Sequence, residues 1–69
     1  MKAVSGKRMC KVLERKGWVR KRIKGSHHIY AHDGHPETII TVPVHGSRTL
    51  KRGLQHGIMT DAGISEDEL

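Results

Sequence analysis

The sequence contains no phenylalanine and only one tryptophan, one tyrosine and one cysteine. With so few rings, the core of this 69-residue chain must be built mainly from Val, Ile, Leu and Met. A platform that stacks successive nucleotide bases on several exposed aromatics is disfavoured for the same reason. The single Cys10 rules out an intramolecular disulfide and a multi-cysteine zinc site, and suits a reducing compartment. No stretch approaches the ~18 apolar residues of a membrane span. The opening MKAVSGKR lacks the apolar segment of a signal peptide, so a cytoplasmic location is expected. The closing Glu66-Asp67-Glu68-Leu69 reads as a solvated acidic end. No Gly-x-Ser-x-Gly elbow is present to seat a serine nucleophile. A chain of this length buries only about 60% of the surface that it exposes when unfolded. One domain over residues 1–69 is expected, with a surface site and no deep pocket.

Basic residues are plentiful, and they are unevenly placed. Ten of the thirteen Lys and Arg lie in residues 1–24 beside one acid, Glu14, a local charge of +9. Residues 25–69 hold three basic and six acidic residues, a local charge of −3. A basic half of this kind suits a polyanion, most commonly nucleic acid. The six histidines invite a metal reading, which strand geometry limits. His28 and His32 would sit ~13 Å apart on one strand face, and His27 and His28 would point to opposite faces. His32 and His35 can meet across a turn, but two imidazoles with no cysteine or convergent carboxylate make a poor site. No metal or other cofactor is expected.

Met9, Val12 and Leu13 recur at helical spacing between Ser5, a candidate N-cap, and Gly17, a candidate C′ residue. Cys10 borders that stripe as a small buried hydrophobe. Trp18 to Ile23 alternates as a first strand, with Trp18, Arg20 and Arg22 on one face. Trp18 is the largest apolar side chain and is assigned to the core, whereas Tyr30 is left open, with a hydroxyl that could reach solvent or a phosphate. Gly25 turns the chain into a second strand over His27 to His32, and Asp33-Gly34-His35-Pro36 into a third over Thr38 to Val42, with Pro43 near its end. Leu54, Ile58, Met59 and Ala62 give the apolar face of a second helix that Gly63 ends and Gly57 weakens. The pattern is α+β: an αβββα domain whose three-stranded antiparallel sheet carries both helices on one face.

Arg20 to His28 places four cations, a permissive glycine and the Ser26 hydroxyl ahead of an imidazole. RNA brings its own nucleophile, the 2′-hydroxyl, so its cleavage needs only a base, an acid and positive charge near the phosphate. An imidazole can perform either proton transfer near neutrality, and Lys or Arg can stabilise the phosphorane. The same residues equally describe a basic hairpin that holds phosphate without cutting it.

Five segments, in order along nearly the whole chain, resemble the HicA (YcfA-like) toxin family: Val4-Ser5-Gly6-Lys7, Lys16-Gly17-Trp18, Arg22 to Tyr30 with its Gly-Ser-His core, Thr41 to Gly46 with Val-Pro-x-His, and Asp61 to Ser65. The resemblance implies a fold like that of double-stranded-RNA-binding domains. It also implies metal-independent mRNA interferase activity within a type II toxin–antitoxin system and neutralisation by a HicB-type antitoxin. The family's catalytic histidine maps onto His27, with His28 and His45 as secondary candidates. Lys7, Arg20, Arg22, Lys24 and Ser26 are the candidate RNA contacts. Arg52 replaces a common proline, and Gln55 and Gly57 replace better helix-packing or helix-forming residues, so a weakened second helix is expected. The readings that remain beside the ribonuclease are a non-catalytic RNA-binding module and an inactive homologue that binds an antitoxin. Three to five phosphate contacts predict that log affinity for single-stranded RNA falls against log salt with a slope of about −2 to −3.5. A salt titration followed by fluorescence anisotropy measures that slope, and a flat response would remove the electrostatic footprint.

Overall fold

Ser5 starts the first helix by accepting a hydrogen bond from the Arg8 N–H at 3.0 Å, the interaction that satisfies an otherwise orphaned donor of the first turn. From this cap the computed structural model, which describes residues 1–69, runs through α1 (Gly6–Arg15), β1 (Val19–Lys24), β2 (His27–Ala31), β3 (Ile39–Pro43) and α2 (Arg52–Ala62), then a short 3₁₀ turn at Glu66–Glu68. The strands pair antiparallel in the order β1-β2-β3. Pro43 therefore ends an edge strand, where its missing N–H removes no ladder bond. Tyr30, Ile40 and Val42 from one sheet face join Met9, Val12 and Leu13 of α1 and Ile58, Met59 and Ala62 of α2 in a single core. The sequence-derived order and sheet arrangement hold, and Trp18 is buried as expected.

Strict alternation fails in β1. Arg20 pairs with Tyr30 but Arg22 pairs with Ile29, because the register shifts between them. An extra residue in one strand reverses the phase of every side chain beyond it. Arg20 therefore lies on the helix-facing side and Arg22 on the outer side, contrary to the expectation that they share a face.

Two polar side chains take core positions. Tyr30 is fully buried, and its hydroxyl donates to Glu14 Oε2 at 2.6 Å, so it reaches neither solvent nor a phosphate. Burial, followed by hydrogen bonding to Cys10 and Glu14, raises its pKa far above the usual value for tyrosine. Cys10 is also buried, and desolvation raises its thiol pKa. In α2 the inward stripe is Gln55, Ile58, Met59 and Ala62, the i, i+3, i+4, i+7 pattern. Leu54 falls one position off that stripe and is 40% exposed, which corrects its assignment to the packing face. Gln55 uses its buried position: Oε1 accepts from Val4 N at 3.1 Å and Nε2 donates to Lys2 O at 2.6 Å. A residue that reads as a weakness in the helix is the clasp for the N-terminal segment.

The acidic C-terminal residues are docked, not merely solvated. Glu68 Oε2 lies 2.7 Å from Lys16 Nζ, and Arg8 donates from Nε and Nη2 to Leu69 O at 3.1 and 3.0 Å. Leu69 is buried against the core. The hydrogen bond from Lys16, aided by Ser65, lowers the Glu68 pKa to about 2. The basic helix supplies partners that the local sequence around Glu68 does not contain.

Removing the clasp should be costly: Gln55→Ala strands a buried N–H and a carbonyl, and about 2–3 kcal/mol of stability is expected to be lost. Urea denaturation measures it, and a loss below ~0.5 kcal/mol would deny the clasp its role. A second prediction concerns alkali. The folded state keeps Tyr30 protonated above the usual value of 10, whereas the unfolded chain ionises there. Its contribution is therefore intact below pH ~10 and is lost as pH rises towards the folded value. The tyrosinate absorbance of this single tyrosine should appear together with loss of circular dichroism, and ionisation near pH 10 in a folded chain would refute the burial argument.

Candidate functional site

The hairpin between β1 and β2 closes with Lys24 opposite His27, leaving Gly25 and Ser26 as the turn. Gly25 has φ +59° and no other residue type in the chain has positive φ. A positive φ at the first central position alone is the pattern of a type II′ turn, whose twist matches the flanking strands. His27 emerges from this turn as the first residue of the central strand, exposed, with Lys24 across from it on β1 and Pro43 on β3. Arg22 lies on the same outer face, one row further along beside Ile29.

The exit from β3 brings a second imidazole to the turn. Val44 N donates to Ser26 O at 2.8 Å, and His45 Nε2 lies 3.5 Å from Ser26 Oγ. Gly6 helps to fix that path. A Cβ at this position would lie 2.0 Å from Pro43 O, so only glycine lets the start of α1 approach the end of β3 this closely. His27, Lys24, Arg22, Ser26 and His45 thus gather around the hairpin end and the outer face of the sheet.

The other candidates lie on the opposite side. His28 is half-buried on the helix-facing side, paired with Val42, and its Nδ1 is buried without a hydrogen-bond partner. Lys7 from α1 and Arg20 from β1 line a cleft with it. Lys11 lines the same cleft and was not singled out from sequence. Its i+4 spacing from Lys7 was the available signal, since such residues share a helix face.

His32 and His35 meet as expected, but as packing around Trp18. His35 stacks on the indole at 5.5 Å and His32 meets it edge-on at 5.2 Å. His32 is held by Lys16 O at 3.1 Å from Nε2 and by the Gly34 N–H at 2.8 Å to Nδ1. Both nitrogens are thereby committed to the fold. Nowhere do three His, Cys, Asp or Glu side chains converge in the manner of a metal site, and no helix is long and apolar enough to cross a membrane.

The fold and site define a small basic αβββα domain with an exposed imidazole beside cations at a hairpin end. The particular family follows from sequence: the profile described as the HicA toxin of bacterial toxin–antitoxin systems matches residues 6–64, and the chain belongs to that family. Its class is therefore that of a toxin whose activity is opposed by an antitoxin. No curated protein sequence matches the chain.

The turn that presents His27 depends on the left-handed conformation of Gly25. Since a Cβ there meets nothing within 4 Å, Gly25→Ala should cost only the backbone strain, about 1–2 kcal/mol, with Gly25→Asn costing less. Thermal denaturation measures this difference, and equal stability of the alanine variant and wild type would show that the turn does not require positive φ.

Proposed function

We propose that the protein is the mRNA-cleaving toxin of a type II pair, a metal-independent endoribonuclease in which His27 is the general acid or base. The observation that carries this reading is the exposed His27 at the hairpin end, directly across from Lys24. In the reaction the RNA 2′-oxygen attacks the adjacent phosphorus as its proton is removed. The O2′–P bond forms, the P–O5′ bond breaks, and the departing 5′-oxygen takes a proton. His27 performs one transfer, and His45, beside Ser26, is the group at hand for the other. Lys24 and Arg22 offset the charge that develops on the phosphorane, and Ser26 is placed to hydrogen-bond the backbone.

A HicB-type antitoxin is the natural partner. The outer sheet face joins an apolar row of Val19, Ala31 and Ile39 to the cationic row ending at His27. Val19 and Ile39 are more than half exposed, so a partner with apolar residues and acids would bury the row and occlude the imidazole together.

His27→Ala should reduce cleavage by about 10²–10⁴-fold while leaving melting temperature, antitoxin binding and RNA binding near wild type, because the side chain is exposed. A 2′-deoxy residue at the cut site should stop the wild-type protein, and a chelator should not. Full activity in His27→Ala, or normal cleavage of the deoxy substrate, would refute the mechanism. Loss of binding together with folding would instead identify the histidine as structural.

A further inference from the structure

Behind the sheet face that carries His27, two clefts of about 230 and 490 Å³ share Lys7, His28 and Val44 as common walls. They form one groove between α1 and the sheet. Lys7, Lys11 and Arg20 line its narrower part, and Ser5, Gly46 and Ser47 its wider part. We propose that this groove is a second nucleic-acid subsite, binding backbone phosphates of the RNA strand away from the bond that is cut, with His28 as a hydrogen-bonding residue within it. The proposal rests on the reading of the protein as an RNA-cleaving toxin and adds to it a path for the strand.

Two features of the groove are unfavourable to the free protein and are relieved by an anion, and a third decides how a ligand can meet His28. Lys7 sits in the first turn of α1, which contains no acid, where the helix dipole disfavours a cation. Lys7 and Lys11 are like charges four residues apart on one helix, an arrangement that repels. His28 Nδ1 is buried without a partner, so the ring can meet a ligand only through Nε2. The two ion pairs of the structure, Met1–Glu66 and Lys16–Glu68, involve none of the groove's cations. Its one acid, Glu14, accepts the Tyr30 hydroxyl.

Strand β1 connects this groove to the outer face. It is an edge strand, and all six of its residues are exposed. The register shift places Arg20 on the groove side and Arg22 on the His27 side. A single strand crossing this edge meets a cation on each side of the sheet. Cations combined with two serine hydroxyls and an imidazole suit a phosphodiester backbone, which is recognised by charge and hydrogen bonding. An acidic protein segment would call for apolar anchors at the centre of its contact.

The test uses the wild-type chain with single-stranded oligothymidylate, which carries the phosphates but cannot be cleaved through a 2′-hydroxyl. Its binding should shift the His28 imidazole resonances as well as those of His27. Replacing Lys7 and Arg20 together with alanine should lower affinity on the order of 10-fold and flatten the salt slope by about 1.4, the value for two lost contacts. Arg15→Ala, which removes an exposed cation of α1 outside the groove, should leave both close to wild type. An equal loss in Arg15→Ala would replace the groove with diffuse attraction. Binding that moves His27 but not His28 would confine the strand to the outer face. Polyglutamate shifting His28 where oligothymidylate does not would assign the groove to a protein partner. Each of these three outcomes overturns the proposal. RNA cleavage by the wild-type protein is assayed in parallel: groove binding without cleavage would count against the ribonuclease reading alone, and cleavage with His28 undisturbed against the groove alone.

Discussion

Strand β2 occupies the middle of a three-stranded sheet, and a strand sends successive side chains to opposite faces. His27 and His28 are therefore committed to different environments although they are adjacent in sequence. One is exposed at the end of a hairpin; the other is half-buried against the helix layer with a ring nitrogen lacking a partner. A one-residue slip of this strand would exchange them and would also turn Tyr30 out of the core. Pairing with β1 and β3 on both sides, together with burial of Tyr30, holds the register. The chemistry proposed for the hairpin end thus depends on packing three residues further along the strand.

A core this poor in aromatic surface is closed by polar contacts that join distant parts of the chain. Gln55 ties α2 to the N-terminal segment, Tyr30 ties β2 to Glu14 of α1, and Lys16 and Arg8 tie α1 to the C-terminal residues. Individually such bonds contribute little net stability, but leaving their buried groups unpaired would cost more. Their value here is in specifying one arrangement of elements. Those of Glu14 and Arg8 join α1 to the sheet and to the C-terminal residues, and so also fix the helix that carries much of the positive charge.

The bulge in β1 has a similar role at the surface. Three of the four cations on this short edge strand, Arg20, Arg22 and Lys24, share a parity in sequence and would crowd one side if alternation were strict. The register shift moves Arg20 to the helix side and leaves Arg22 and Lys24 outside. Exposed charge along this edge also discourages pairing with another sheet. The same feature distributes positive potential around the domain, which a polyanion can exploit.

Much of the architecture was determined by local sequence. Ser5 as a cap, the Met9-Val12-Leu13 stripe, the glycine turn before His27, the β-branched run of β3 and the Gly63 ending all follow from short-range stereochemistry, and each is where the residues suggested. The Gly-Ser-His segment likewise marked the hairpin end, and the family match agrees with the resemblance. Tertiary structure decided what depended on residues far apart in the chain. Tyr30 is buried because Glu14 is there to accept its hydroxyl, and Gln55 faces inward because Val4 and Lys2 need partners. The acidic end docks because Arg8 of α1 and Lys16 just past its end offer partners. Only pairing with β2 revealed that Arg20 and Arg22 occupy opposite faces, since a bulge arises from the register between two strands and leaves no periodic signal in one of them.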